Sequence, residues 1–366
     1  MPAVPAFAGD LKSTDALGTR AIMKYQYNSI SRGGNSILER LQAAGIHDTG
    51  KYINFYNLRT FDRIGVAQAS SPAVNIAQIP ATASDPGAHQ AGSNTKLSNQ
   101  DTVSACYMAG KSELLDIPWA GNADQEMEAF VTEDLYVHTK LLIADDNVVI
   151  CGSANLNDRS QLGTHDSEIA LVISSGPSVS TIIDGASCQV SRFASSLRRQ
   201  IFRKHMGLLP DQRWDQPSPN FSPVTDCRND YEWDCADDFL VRDPLSPVFT
   251  NLWSSTAKSN TEIYRRAFHC VPDNTVRSWA DYDEFFSKHF DMPSFKKGSQ
   301  IPIAKGKTGY GHVVKSEFGG GVEELKAWLG RIRGSLVEMP LDFLVDEEDI
   351  AQQSWSLNSL TDELYT

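Results

Sequence analysis

Leu135-Tyr-Val-His-Thr-Lys-Leu-Leu-Ile-Ala144, Asp145-Asp-Asn147 and Val148-Val-Ile-Cys-Gly-Ser-Ala-Asn155 form one continuous stretch that decides how this chain folds. The first run is apolar and β-branched enough to read as a buried strand. The Asp-Asp-Asn triplet supplies a turn, because short acidic and amide side chains satisfy turn amides and tolerate left-handed backbone. Val148–Cys151 is then the returning strand of a hairpin, and Glu168-Ile-Ala-Leu-Val-Ile173 a third strand. A helix is expected over about residues 190–208. Strands followed by a helix predict an α/β lobe, a mixed β-sheet flanked by helices. The 135–173 strands lie at its centre, and the C-terminal third wraps back onto it.

Upstream, residues 14–44 read as helical, with Ala21, Ile22, Tyr25, Ile37 and Leu41 recurring at helical spacing and a break at Arg32-Gly-Gly-Asn35. Residues 52–58 suggest a strand. Residues 66–104 are rich in Ala, Ser, Pro, Asn and Gly and hold almost no large apolar side chain, so they read as a mobile surface insertion. Downstream, Pro210–Pro223 contains prolines 210, 217, 219 and 223 and acts as a linker. Short helical stretches follow, among them 322–332 with Leu325 and Trp328 as core, after a glycine break at 319–321. The expected organisation is therefore 1–65 as the start of a catalytic lobe, 66–104 as an insertion, 105–209 as the lobe proper, and 210–366 as an extension packed on it.

The 366 residues suffice for a large core, and 41% apolar with 22% charged residues is ordinary globular composition. No apolar run approaches the roughly 20 residues of a membrane span, and the Pro-rich start is unlike a secretion signal. The expectation is a cytoplasmic protein that touches membranes peripherally. A net charge of -13 excludes general binding of nucleic acid. Any attraction for phosphate must be local. Six scattered cysteines with no CxxC spacing argue against a zinc site and against a disulfide framework.

Within the deciding stretch, His138 and Lys140 are two residues apart, which on a strand places them on one face. An imidazole beside a fixed ammonium can move a proton while holding a negative charge, the two things cleavage of a phosphodiester requires. The small residues from Gly152 let the chain turn and bring Asn155, and the hydroxyl of Ser153, to the same anion. Glu168, with Asp166 as competitor, is placed to fix the tautomer of His138. Asp145 ends the strand in a turn and reads as structural, accepting turn amides or pairing with a cation.

His138-Thr-Lys140, Asp145 and Gly152-Ser-Ala-Asn155 together are the HxKx4D and GSxN signature, and the chain resembles the phospholipase D superfamily. Ile150–Gly163 with His165-Asp-Ser-Glu-Ile-Ala170 is similar to the second catalytic motif of eukaryotic, particularly fungal, phosphatidylcholine-hydrolysing members. Pro2–Gly9, Tyr52–Arg59 and Arg331–Pro340 agree with the same group, so the resemblance spans nearly the whole chain, with 66–104 least covered. It implies hydrolysis of a phosphatidyl ester to phosphatidic acid and an alcohol such as choline. A first-motif histidine attacks phosphorus and the second-motif histidine, here His138, serves as acid and then base. By the same resemblance Lys140 and Asn155 match the phosphate-holding residues and Glu168 the orienting acid, and no metal or other cofactor takes part.

The chain departs from the pattern in one respect: there is a single such motif. None of the other histidines has a lysine two residues on, and His312 comes nearest, with Lys315. The family's first motif lies upstream of the region resembled here. The missing half is expected in cis or in trans, or as a second copy of this chain. A catalytically inactive fragment or a regulatory lipid- or partner-binding module is the alternative from another class, and a nuclease or phospholipid synthase the alternative within the superfamily. Thr164 stands where the family usually has Asp. Arg192, Arg199 and Arg203 form one stripe of the 190–208 helix, readable as a contact for anionic lipid headgroups or as a solvated basic edge beside a packed apolar stripe. The tail at Tyr365-Thr366 would, by the resemblance, pack near the site. A lobe without its other half should expose apolar surface and be poorly soluble.

Overall fold

The computed structural model describes residues 1–5, 10–13, 16–64, 114–116, 119, 121–174, 176–209, 235–289 and 309–351. The expected insertion at 66–104, the linker at 210–223 and the tail at 365–366 lie outside them. The helices are α1 (Leu17–Ile30), α2 (Ile37–Ala43), α3 (Ala123–Ala129), α4 (Asp158–Gln161), α5 (Arg192–His205), α6 (Ala236–Arg242), α7 (Pro247–Phe268), α8 (Trp279–His289) and α9 (Val322–Leu329). The strands are β1 (Tyr56–Arg63), β2 (Phe130–Asp134), β3 (Lys140–Ala144), β4 (Val148–Gly152), β5 (Ala170–Ile173), β6 (Ser178–Ile183), β7 (Ala186–Ser191) and β8 (Leu336–Glu338).

The class is α/β, with helices flanking small sheets. All strand pairs among the described residues are antiparallel, in three sheets ordered β2-β1-β8, β3-β4-β5 and β6-β7. The strands of the deciding stretch thus form a sheet of their own rather than the middle of a larger mixed one. β3 starts at Lys140, not Leu135, and the upstream strand runs Tyr56–Arg63 rather than 52–58. The expected break in the first helical region is present: the side chain of Ser36 accepts from the amide of Glu39 while Glu39 reaches back to the Ser36 amide, which restarts the helix as α2.

The main core lies between the first sheet and two helices. Phe130 of β2 and Val337 of β8 pack with Ile263, Tyr264 and Phe268 of α7 and Leu325 and Leu329 of α9. Ser246 caps α7 through the Phe249 amide, and Pro247 sits in its first turn, where a missing N–H costs nothing. Buried Asn260 in α7 donates to the carbonyls of Arg333 and Leu336 at 2.8 and 2.9 Å and accepts from the Arg333 amide at 3.1 Å. The C-terminal segment docks on β1 and α7 rather than on the 140–173 strands.

The second sheet is tied to the rest at its turn. Asp145 and Asp146 both have positive φ, 51° and 53°, and the Asn147 amide closes the turn onto the Ala144 carbonyl at 2.9 Å. Three residues, Asp145 to Asn147, thus connect the strands, and the left-handed pair at the centre of the turn gives a twist that suits antiparallel strands. Asp146 points inward and takes a two-pronged bond from Arg198 of α5, at 2.6 and 2.7 Å, with both side chains buried. Arg198 also donates to the carbonyls of Val241 and Arg242, at 2.7 and 3.0 Å, so turn, α5 and α6 meet on one guanidinium. The Ser191 amide adds bonds to the Asp146 carbonyl and the Asn147 side chain, at 3.0 and 3.1 Å.

α5 corrects the basic-edge expectation. Arg199 and Arg203 are each 1% exposed and Arg198 is buried too, whereas Phe193, Leu197 and Ile201 are half-buried. Arg199 donates to Asp238 of α6 at 2.9 Å and to the Thr181 hydroxyl of β6 at 2.5 Å. The arginine stripe faces the protein because carboxylate and hydroxyl partners wait there. Arg199 and Arg203 cannot serve as outward contacts for a membrane, nor as a solvated edge.

Candidate active site

Strand register brings the candidate residues to one end of the second sheet. Lys140 pairs with Gly152 across β3–β4, and Gly152 with Ala170 across β4–β5. His138, Ser153 and Glu168 each lie one or two residues beyond that rung. The sheet end is opposite the Asp145-Asp146 turn, about 13 Å away along the strand.

Gly152 is small because of what it faces rather than for freedom to turn. A Cβ there would lie 2.6 Å from the Ile169 carbonyl oxygen and 2.9 Å from the Ala170 Cβ. Any side chain would pry β5 off β4. The Ser153 amide extends the pairing, donating to the Ile169 carbonyl at 2.9 Å, and the Ile169 amide returns a bond to the Ser153 hydroxyl oxygen at 3.0 Å.

The Ser153 hydroxyl donates to Glu168. That bond, a second from Ser160, and the charges of Lys140 and Arg159 hold the Glu168 carboxyl below its usual range. Glu168 is therefore ionised and engaged with two serines, and among the described residues no hydrogen bond joins it to the His138 ring. Asp166 is paired with Arg159 at 2.8 Å. Neither acid stands against the imidazole here.

His138 lies just outside β3 and is exposed, with its ring stacked on Tyr136 at 6.2 Å between centroids. Lys140 curls back so that its ammonium donates to the His138 carbonyl at 2.7 Å. The two residues are adjacent, though the ammonium meets the backbone of His138 and not its ring. Asn155 is positioned by its main chain: its amide donates to the Ser160 hydroxyl at 3.1 Å, and its carbonyl accepts from Gln161 at 2.9 Å. Asn157 caps α4 by accepting from the Ser160 amide at 3.0 Å.

Asp145 is exposed and structural, its carbonyl accepting from the Asn147 amide group at 3.1 Å. The cation pairing expected of it belongs to its neighbour Asp146. Ser160 and Arg159 escaped the sequence reading, although Asn157-x-x-Ser160 is a helix-cap spacing that places a short helix, and Ser160 within it, directly after Asn155. The assembled edge holds an imidazole, an ammonium, a carboxylate, an amide and hydroxyls around open solvent, a set able to grip an anion and exchange a proton with it.

Residues 113–238 match the phospholipase D family, a span that contains every residue of this edge. The chain is similar to human phospholipase D1, 30% identical over 348 residues, which is 95% of this chain and 22% of that protein. It is 28% identical over 358 residues to phospholipase D zeta 2 of Arabidopsis thaliana, 96% of this chain and 24% of that protein. With phospholipase D of Phytophthora infestans the identity is 28% over 282 residues, 77% and 11% of the two. The chain thus spans less than a quarter of the length of these relatives.

Proposed function

Because the chain belongs to the phospholipase D superfamily, we propose that it supplies the second-motif half of a phosphodiesterase that hydrolyses phosphatidylcholine to phosphatidic acid and choline. The observation that carries this reading is the convergence of His138, Lys140, Ser153, Asn155 and Glu168 at one sheet end, set by the β3-β4-β5 register. Lys140 and Asn155 hold the phosphate oxygens. A histidine of the first-motif half attacks phosphorus, and the bond to the choline oxygen breaks as His138 passes its proton to that oxygen. His138, now neutral, takes a proton from water, which attacks the phosphohistidine. The P–N bond breaks, phosphatidic acid leaves and His138 is again protonated. Glu168, ionised by its serine bonds and the nearby cations, is placed to swing onto the imidazole once the site is complete.

Completion requires a partner half, in cis or in trans. β3, β4 and β5 are apolar on both faces, a pattern of strands covered on both sides. Here Leu142 is 55%, Val172 63% and Leu171 66% exposed. The setting proposed is cytoplasmic, peripheral to a phospholipid membrane. No helix among the described residues is long and apolar enough to cross one.

The test is choline release from phosphatidylcholine vesicles. The chain alone should release none. Addition of a chain carrying the first HxKx4D motif should restore release, and His138→Ala should abolish it again. Release by the chain alone that vanishes in His138→Ala would favour a symmetric pair of copies. Release in neither mixture would leave a lipid- or partner-binding module and sink the enzymatic reading.

A further inference from the structure

α5 carries two buried arginines one turn apart, Arg199 and Arg203, and α6 with its cap offers them unequal partners. Arg199 has a carboxylate, Asp238, at 2.9 Å. Arg203 has a sulfur: its Nη1 donates to Cys235 Sγ at 3.6 Å. Among the described residues, the buried Nε and Nη2 of Arg203 have no hydrogen-bond partner and no carboxylate is paired with it. A guanidinium stays charged, and a buried charge without an anionic partner is costly. The atom at which this one is aimed is an atom that can carry negative charge.

Cys235 is a free thiol and half-buried. Its sulfur also accepts the Asp238 amide at 3.3 Å, as the cap of α6, which fixes its position beside Arg203. The thiolate is the reacting form of cysteine, and a neighbouring fixed cation favours it. The other described thiols differ. Cys151 in β4 is exposed. Cys188 donates to the Thr181 carbonyl at 4.0 Å. Cys270 lies near Arg59, but burial outweighs that charge and pushes its thiol up.

We propose that Cys235 is a site of oxidative modification by hydrogen peroxide, with Arg203 supplying the charge that favours the reaction and the donors that receive its product. The sulfur attacks one peroxide oxygen, and the S–O bond forms as the O–O bond breaks. The second oxygen leaves as hydroxide and takes up the thiol proton as water. Sulfur is oxidised by two electrons to a sulfenic acid and the peroxide is reduced. The new oxygen is a hydrogen-bond acceptor on the atom that Arg203 already faces, and Nε and Nη2 are the donors that lack one. No step of the proposed hydrolysis uses Cys235, so the site stands whether or not the chain takes part in that reaction.

The test treats the reduced full chain with hydrogen peroxide in the presence of dimedone, which traps sulfenic acids, and follows labelling of each cysteine by peptide mass spectrometry. Cys235 should label at least about tenfold faster than Cys151, and faster by a similar factor than Cys235 itself in the urea-unfolded chain. Accessibility alone predicts the reverse order, with exposed Cys151 ahead. Arg203→Met should remove the preference for Cys235, and Arg203→Lys, which keeps a charge, should retain most of it. The proposal is overturned if Cys235 in the folded chain labels no faster than Cys151 or than its own unfolded reference. It fails equally if Arg203→Met, with an unchanged melting temperature, labels Cys235 as wild type does. Should Arg203→Met not fold, the wild-type comparison decides by itself.

Discussion

Asp145 and Asp146 share a turn and a left-handed backbone, yet only Asp146 meets a buried cation. Asp146→Ala leaves Arg198 buried with its charge uncompensated, and removal of one partner of such a pair costs about 3–5 kcal/mol. Asp145→Asn keeps a residue that tolerates positive φ and should stay within about 0.5 kcal/mol of wild type. Urea denaturation of the two variants checks the contrast, and equal effects would refute it. The sequence showed that an acid belongs at this turn but not which one faces inward. The answer depends on an arginine 52 residues further on. The candidate edge was legible for a related reason: antiparallel pairing of short strands joined by a tight turn leaves little choice of register, so His138, Ser153 and Glu168 had to converge. The positions of the Lys140 and Glu168 side chains were not legible, because exposed side chains choose among local partners such as the His138 carbonyl and Ser160.

At the scale of the element, α5 shows where periodicity misleads. Its arginine stripe would ordinarily mark the solvent side. It faces inward because α6 and the hairpin turn supply Asp238, Asp146 and the carbonyls of Val241 and Arg242. These partners are distant in sequence and invisible to a helical wheel. At the end of the same helix, His205 is pushed down to about 4, first by burial, then by the charges of Lys204 and the N-terminal ammonium. In the folded chain it stays neutral over a range in which the unfolded chain, with an ordinary value of about 6.5, takes up a proton. Its contribution to stability is therefore complete above pH 6.5. It is lost as pH falls toward 4, by on the order of 3 kcal/mol at most. His205→Gln should flatten that part of the stability–pH curve in denaturant melts from pH 7 to 4. A curve of unchanged slope would exclude His205 as its source.

For the whole molecule, the uneven distribution of cover matters most. The first sheet lies against α7 and α9, while the β3-β4-β5 sheet is covered well only near Val149, which is 1% exposed. A chain with such a surface should self-associate. Sedimentation should show oligomers or loss to aggregates, relieved by Leu142→Ser with Val172→Ser. A stable monomer at all concentrations would count against an uncovered interface. The fold class was readable from strand and helix patterning. The separation into three sheets was not, since the strands' composition is that of an interior and only long-range packing shows what is missing. The hairpin that carries His138 and Lys140 is bolted at its turn by Arg198 and unsupported at its opposite end. It is a cantilever, and small displacements at the clamp or loads on its faces are felt most at the tip. Whatever covers the sheet therefore also aims that tip, so in the proposed reaction docking and activation would be one mechanical event.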